Sequence, residues 1–171
     1  MNKGFSYFRV KTSYKGENTM GAIENIKSED LVMAANYTEA EKLAYMLLED
    51  LNTYNDDAEI EIVKTKISEI IFNDTFAVEK EWRRGLNQYY FEESEDTEVG
   101  LYQVSVVFTI IDEKTGKQKN ETETIYTPAY SSSKAIINVY EYLKEVGETR
   151  DYIIRNVKYD KAQSVIVIAQ D

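Results

Sequence analysis

The first half of the chain alternates between a period of two and a helical period. In residues 5–14, apolar and polar side chains alternate, which predicts a strand with one buried face. Residues 31–35 are a short apolar run, which predicts a second strand. The polar residues 15–30 between them are interpreted as a long connection. Two strands are therefore predicted before the first helix.

The first helix is predicted to begin near Thr38. Thr38 is the expected N-cap, because Glu41 three residues later completes a capping box. Apolar residues then recur at helical spacing as far as Leu51. Residues 59–72 return to a strand pattern that breaks near Thr65, so a fourth strand is predicted after the break.

The second half repeats this order. Residues 101–111 and 121–126 predict a hairpin, joined by a turn in which Gly116 is suited to positive φ. The serines at 131–133 are predicted to cap a second helix. Two strands then close the chain, and the last of them, 164–168, lacks alternation, so both of its faces should be covered.

The two halves match at a nearly constant spacing. Adding 94 to residues 8–14 places them on residues 102–108, and the same shift places Leu43 on Ile137. We interpret this as an internal duplication of a ββαβ unit. The predicted fold class is α+β, with two antiparallel or mixed sheets, one helix each, a pseudo-twofold axis and a shared core. The predicted boundaries are 1–75 for the first repeat, 76–99 for a linker and 100–171 for the second repeat.

The composition limits the chemistry. The chain has 171 residues, of which 43% are apolar, as expected of a folded globular protein. It contains neither Cys nor His, which excludes Ser-His-Asp and Cys-His catalysis. We therefore predict a non-enzymatic protein without a cofactor or a metal ion. No segment has the length and composition of a membrane helix, so no membrane partner is expected.

The charge distribution indicates one candidate binding surface. The formal net charge is −11, yet residues 1–15 contain four basic and no acidic side chains. Aromatic and basic side chains occur together there and again in the predicted linker. Proteins that hold single-stranded nucleic acid combine these two types of side chain. The predicted binding residues, for nucleic acid or for a partner, are Tyr7, Arg9, Lys11, Trp82, Arg83, Arg84, Tyr89 and Tyr90.

The same residues have an ordinary structural interpretation. Tyr7 would then cover a sheet edge, Trp82 would fill the shared core, and the arginines would pair with Glu79 and Glu81. This alternative predicts no binding surface at all.

Two acidic clusters are weaker candidates. Clustered carboxylates can bind a hard cation, but the run near residue 95 lacks the spacing and glycine of a calcium loop, so a solvated linker is favoured. Asn55, Asp56 and Asp57 precede Glu59 between a helix and a strand, where turn formation is favoured over acid–base chemistry. The first run comprises Glu92, Glu93, Glu95, Asp96 and Glu98.

Four stretches carry a resemblance to a known family. Residues 7–11, 37–41, 66–73 and 111–117 together resemble a family of unknown function that is common in gut bacteria of the Bacteroides group, their mobile elements and their phages. The resemblance brings no catalytic motif, cofactor or site residue. It implies a phage or mobile-element origin, and hence the cytoplasm of a bacterial host or a virion.

Three non-enzymatic functions are predicted, in order. The first is an accessory protein that binds single-stranded nucleic acid. The second is a structural or virion-associated protein that joins other phage proteins through tyrosine-rich surfaces. The third is an acidic inhibitor of a host protein. The oligomeric state stays open.

Overall fold

The computed structural model describes residues 4–17, 19–50, 58–73, 75–83, 85–91 and 99–168, without the side chains of residue 50 and residues 76–82. The chain divides into two compact units. Unit 1 comprises Met1–Thr65, Val78–Tyr90 and Ala162–Asp171, and unit 2 comprises Lys66–Ala77 and Phe91–Lys161.

Ten strands and two helices form within the described residues. In chain order they are β1 (Ser6–Glu17), β2 (Ile23–Ala34), α1 (Tyr37–Asp50), β3 (Glu59–Lys64), β4 (Ile67–Ile70), β5 (Phe76–Arg83), β6 (Leu86–Phe91), β7 (Gly100–Ile111), β8 (Gln118–Ala129), α2 (Ser132–Glu145), β9 (Asp151–Asp160) and β10 (Ser164–Ile168). The prediction of an α+β fold with a helix for each of two mixed sheets is confirmed.

The sheet of unit 1 has six strands in the order β3-β1-β2-β10-β6-β5. β1 pairs antiparallel with both β2 and β3, whereas β10 runs parallel to β2 and antiparallel to β6. Helix α1 covers one face of this sheet, because its stripe of apolar residues packs on alternate residues of the strands. The buried members of this core are Phe8, Val10, Val32, Ala34, Ala40, Leu43, Ala44, Leu47 and Ile166.

The sheet of unit 2 has four strands in the order β4-β8-β7-β9. β7 pairs antiparallel with β8 and β9, and β4 runs parallel to β8. Helix α2 covers one face of the sheet. The buried members of this second core are Tyr102, Val104, Val106, Phe108, Ile125, Ala129, Ala135, Val139 and Leu143.

The two units share an order of elements. β1, β2 and α1 have 12, 12 and 14 residues, and β7, β8 and α2 have the same three lengths. β3 pairs with β1 as β9 pairs with β7, and a parallel strand lies beside β2 (β10) and beside β8 (β4). A duplication predicts this agreement, but common ancestry, the pseudo-twofold axis and the shared core stay predictions.

The second strand is longer than the sequence pattern predicted. Residues 15–30 were interpreted as a connection, yet β1 extends to Glu17 and β2 begins at Ile23. The outer half of β2 is largely exposed, and its two apolar residues, Ile23 and Ile26, are three positions apart, so it carries no apolar alternation. Its backbone is held by pairing with β1, with Glu17 opposite Ile23. The interpretation was wrong because backbone pairing stabilises a strand without an apolar signature.

The predicted N-cap is wrong for α1 and correct for α2. The α1 N-cap is Asn36, whose Oδ1 accepts from the Glu39 amide at 2.9 Å, and not Thr38. Asparagine is as good an N-cap as threonine, and the helix begins one residue after it. In α2 the predicted serine cap is confirmed, because Ser131 Oγ accepts from the Lys134 amide at 3.1 Å.

Two strands occupy the described part of residues 76–99, which the sequence assigned to a linker. β5 and β6 are joined at residues 84–85, where Gly85 has φ +82°. β6 pairs with β10 along its length, with Tyr90 opposite Ser164. The apolar alternation of residues 86–91 is weak, and the strand depends on a partner more than 70 residues away.

Candidate functional site

Three of the predicted binding residues lie on β1. Tyr7, Arg9 and Lys11 alternate with Phe8 and Val10, which belong to the core beneath α1. The three therefore occupy the sheet face opposite α1, as the alternation predicted.

The predicted tyrosines of β6 are divided between the two faces. Tyr89 lies on the same face as Arg9, since the register across the sheet runs from Arg9 to Leu31, Val165 and Tyr89. Arg9 and Tyr89 are thus three strand spacings apart, about 14 Å. The two residues between them, Leu31 and Val165, are fully buried. Tyr90 points to the face of α1, so the tyrosines and cations do not form one continuous surface.

The cations of β1 lie among carboxylates. Arg9 Nη1 is 3.0 Å from Glu29 Oε2, and the Arg9 side chain is only 16% exposed. Lys11 is exposed but lies opposite Glu29 on β2 and Glu61 on β3. Two positive and two negative side chains therefore share this part of the face, which lowers its attraction for phosphate.

Two of the remaining predicted residues, Trp82 and Arg83, lie on β5. Arg83 Nη2 is 3.9 Å from Glu49 Oε2, so it pairs with an acid that the sequence interpretation did not name. Trp82 lies in β5, but its side chain is outside the described set, as are Arg84 and the side chains of Glu79 and Glu81.

The two acidic candidates fall largely outside the described residues. The acidic run 92–98 and residues 55–57 belong to segments whose placement is not described. Glu59 is exposed at the start of β3. Across the described residues, no group of three or more acidic side chains is placed to hold a metal ion together.

A row of buried polar side chains crosses four strands of unit 1. Thr12 Oγ1 and Ser28 Oγ are 2.6 Å apart, Ser164 Oγ donates to Asp30 Oδ1, and Gln88 Nε2 donates to Ser164 Oγ at 2.9 Å. All five residues are buried. Because Asp30 lies opposite Val10 and Ser164 lies opposite Asp30, the row lies on the α1 side of the sheet. It joins β1, β2, β10 and β6.

Asp30 is the perturbed acid of this row. Burial raises the pKa of Asp30 to about 6, the hydrogen bonds from Ser164 and Ser28 oppose that change, and the charge of Glu29 adds to it. Tyr14 is a further titratable neighbour, and its pKa is raised by burial first and by the charge of Asp30 second. Among the described residues no basic side chain pairs with Asp30.

The chemistry of the row is structural. A buried carboxyl that accepts hydrogen bonds from serines fixes the register of β10 between β2 and β6, because a shift would leave a buried acceptor unsatisfied. Sequence analysis missed this row because residues 15–30 were taken as a connection. The available signal was the period-two spacing of Ser28 and Asp30.

A second cluster closes the turn after α2. The Arg150 guanidinium lies 3.9 Å from the centre of the Phe108 ring. Arg150 also donates to Glu148 Oε1 at 2.8 Å and to Glu123 Oε2 at 3.1 Å. The hydrogen bonds from Arg150 lower the pKa of Glu148 to about 2. Sequence analysis did not single out this arginine, whose partners lie on β7, on β8 and in the turn itself.

β9 is an open edge of the sheet in unit 2. It ends the strand order, so one side of its backbone has no strand partner among the described residues. Ile153 is 61% exposed, and Arg155 and Lys158 are also exposed. Within the part of the chain that the structure describes, neither cation forms an ion pair. Arg155 is the extra residue of a bulge opposite β7, where Ser105 pairs with Asn156 and Val106 pairs with Ile154.

β3 is the corresponding open edge of unit 1. It ends the order β3-β1-β2-β10-β6-β5, and its exposed residues are Glu59, Glu61, Val63 and Lys64, of which the first three share one face. Val63 is 45% exposed. β3 and β9 are thus both edges. The exposed charged residues of β3 are Glu59 and Glu61 with one cation, Lys64, whereas those of β9 are Arg155 and Lys158 with one acid, Asp151, so the two edges have opposite net charge.

Comparison with known families identifies the chain at the level of a family. A family model described as "Domain of unknown function (DUF4494)" matches residues 6–168. The chain belongs to the DUF4494 family. The match covers nearly the whole chain, so both units lie within the DUF4494 domain. Neither the comparison with curated proteins nor that with solved structures returned a match.

Membership of the DUF4494 family agrees with the predicted resemblance to a family of unknown function. It transfers no activity or site residue to this chain. Among the described residues of this DUF4494 protein, neither helix is long and apolar enough to cross a membrane.

Proposed function

We propose that this protein is a non-enzymatic binding module that takes a protein partner by strand addition at the β9 edge. The observation that carries the proposal is the edge itself, ten residues long, with an exposed Ile153 and two cations that pair with no described acid. An open edge offers a row of unpaired N–H and C=O groups, and an added strand satisfies them.

The side chains of β9 define the chemistry of the partner. Ile153 and Lys158 lie opposite Val107 and Gln103 of β7, so both point to the face opposite α2. Arg155 lies between them at the bulge. A strand that pairs with β9 would gain most by presenting acidic residues to the cations and an apolar residue to Ile153. The proposed partner is therefore an extended segment in which acidic and apolar side chains alternate.

Nucleic acid is less well supported at the residues predicted from the sequence. Arg9 is paired with Glu29, and buried Leu31 and Val165 separate it from Tyr89. A single strand needs a continuous row of rings and cations along its backbone. The described residues of this face do not form such a row, which favours a protein partner.

Selection of peptides from a displayed random library tests the proposal. The full-length protein should enrich peptides with alternating acidic and apolar residues. The variant Arg155→Glu with Lys158→Glu should lose these peptides, because both contacts become repulsive. The matched control is Lys114→Glu with Lys117→Glu, which makes the same charge change in the exposed turn between β7 and β8. It should retain the selected peptides.

Binding of a single-stranded oligonucleotide of about 16 nucleotides tests the alternative of a nucleic-acid partner. Binding that falls steeply between about 50 and 200 mM salt, and that is lost in the Arg155→Glu, Lys158→Glu variant, would assign β9 to nucleic acid instead. Peptide binding that both double variants retain would overturn the use of this edge.

The proposal extends to the setting of the protein. A phage or mobile-element origin, and a place in the host cytoplasm or in a virion, are supported by the sequence resemblance alone. Mass spectrometry of purified particles tests virion association, and absence of the protein from them would exclude it.

A further inference from the structure

The partner strand that β9 requires is present in the chain itself. β3 has the sequence Glu-Ile-Glu-Ile-Val-Lys, in which acidic and apolar residues alternate. Ile60 and Ile62 pack against the core beneath α1, whereas Glu59, Glu61 and Val63 are exposed on the other face. The open edge of unit 1 therefore displays the chemistry that suits the open edge of unit 2.

We propose that β3 of one copy of this chain adds antiparallel to β9 of a second copy. The inference rests on the proposed function, because it names the occupant of the β9 edge. Charge complementarity selects a second copy over other partners, since Glu59 and Glu61 of β3 can face Lys158 and Arg155 of β9, whereas Lys64 and Asp151 lie at the ends of the two strands. Two β9 edges, or two β3 edges, would instead bring like charges together.

One register satisfies the three exposed side chains that β3 carries on the face away from α1. With Glu59 opposite Lys158, Glu61 lies opposite Asn156 and next to Arg155 at the bulge. The bulge adds one residue to β9, as it does opposite β7, so Val63 then falls opposite Ile153. Two acidic residues meet two cations, and the exposed side chains of Val63 and Ile153 cover each other.

The pairing is head-to-tail. Each copy uses its β3 with one neighbour and keeps its β9 for another, so association does not stop at a dimer unless the rotation closes a ring. The contact is one short strand and two exposed ion pairs. Self-association should therefore be weak, should rise with protein concentration and should weaken with salt.

Sedimentation velocity over a range of concentrations tests the inference with full-length protein. The wild type should form species larger than a monomer at low salt. Arg155→Glu with Lys158→Glu, and separately Glu59→Lys with Glu61→Lys, should each weaken association by about tenfold or more. The control Lys114→Glu with Lys117→Glu should associate like the wild type. Circular dichroism checks that each variant, changed only at exposed positions, stays folded.

Mixing the two edge variants tests the pairing most directly. One variant has two acidic edges and the other has two basic edges, so neither self-pairs, but each complements the other. An equimolar mixture should recover association to within a few-fold of the wild type. Recovery, together with the loss of association in each variant alone, would tie association to opposite charges on these two strands. In the wild type, only a pairing of β3 with β9 brings those opposite charges together.

The outcomes separate this inference from the proposed function. A wild type that stays monomeric, or that associates equally after either edge reversal, overturns the pairing of β3 with β9. If the library peptides still require Arg155 and Lys158 in that case, the proposed function stands with another partner. If association depends on β9 but is unchanged by Glu59→Lys with Glu61→Lys, β3 is excluded as the occupant.

Discussion

Units 1 and 2 share a framework and differ in what fills one position within it. In unit 1, Val10 of β1 lies opposite Asp30 of β2, and in unit 2, Val104 of β7 lies opposite Ile125 of β8. Asp30 belongs to the buried polar row, whereas Ile125 belongs to the apolar core beneath α2. The same backbone position thus holds a carboxyl in one unit and an aliphatic side chain in the other. The framework itself does not require the polar row.

The two units also exchange their last strands. β4 follows β3 in the chain but pairs with β8 in unit 2, and β10 follows β9 but pairs with β2 in unit 1. Only two residues join β3 to β4, and three join β9 to β10. To lie parallel beside β2, the strand that follows β3 would need a crossover of a dozen or more residues. Because the connections are this short, β4 completes the sheet of unit 2 and β10 completes the sheet of unit 1.

The largest expected effect comes from removing the side chain that anchors β10 in the core of unit 1. Ile166→Ala on β10 removes a fully buried side chain from the core of unit 1, so the free energy of unfolding should fall by about 2–5 kcal/mol. Hydrogen exchange should show the lost protection in β1 and β2, far away in the sequence. Val104→Ala is the matched control and should expose β7 and β8. A greater loss of protection in β9 than in β2 after Ile166→Ala would contradict the placement of β10 in unit 1.

The second prediction concerns Asp30, the buried carboxyl whose place Ile125 takes in unit 2. Its folded pKa of about 6 lies above the ordinary 3.8, so its contribution is favourable below pH 4 and is lost as the pH rises to 6. This difference corresponds to about 3 kcal/mol. Asp30→Asn should therefore raise the free energy of unfolding by up to about 3 kcal/mol at pH 7.5 and change it little at pH 3.5.

Urea unfolding at several pH values measures this change. Glu24→Gln is the control, because it removes an exposed carboxylate from the same strand, away from the buried row. It should show no comparable gain between pH 4 and 6. If Asp30→Asn were less stable than the wild type at pH 7.5, the ionised carboxyl would have to be stabilised by the row rather than strained by burial.

The smallest effect concerns the cluster at the turn after α2 in unit 2. Arg150→Gln removes the contact with Phe108 and the pairing with Glu148, and should lower the free energy of unfolding by about 1 kcal/mol, since Arg150 is one-third exposed. The lowered pKa of Glu148 contributes stability above pH 4.5 that disappears as the pH falls towards 2. The variant should lose this dependence in acid.

Arg155→Gln on the exposed edge is the control for Arg150. It should change stability by less than about 0.5 kcal/mol, because Arg155 has no ion pair among the described residues. Thermal unfolding followed by circular dichroism compares the two. Equal effects of both substitutions would show that the cluster around Arg150 adds nothing to unit 2.

Sequence patterns predicted the elements better than the site. The hairpin of β7 and β8, with Gly116 at φ +69° in its turn, and the Ser131 cap depend on residues close together in the chain. The candidate site was predicted from residue types, and alternation placed Tyr7, Arg9 and Lys11 on one face. Alternation could not indicate that Glu29 would pair with Arg9, because that contact depends on the register of β2.

The sequence by itself determined which segments are strands and helices where one face is apolar, because period and turn chemistry act over a few residues. Tertiary structure decided the polar half of β2, the pairing of β6, the burial of Asp30 and the unit that each last strand completes. These features depend on partners distant in the chain and on connection lengths, which no local pattern encodes. The charged residues of β3 and β9 can be read from the sequence, but only the strand order shows that both strands are edges.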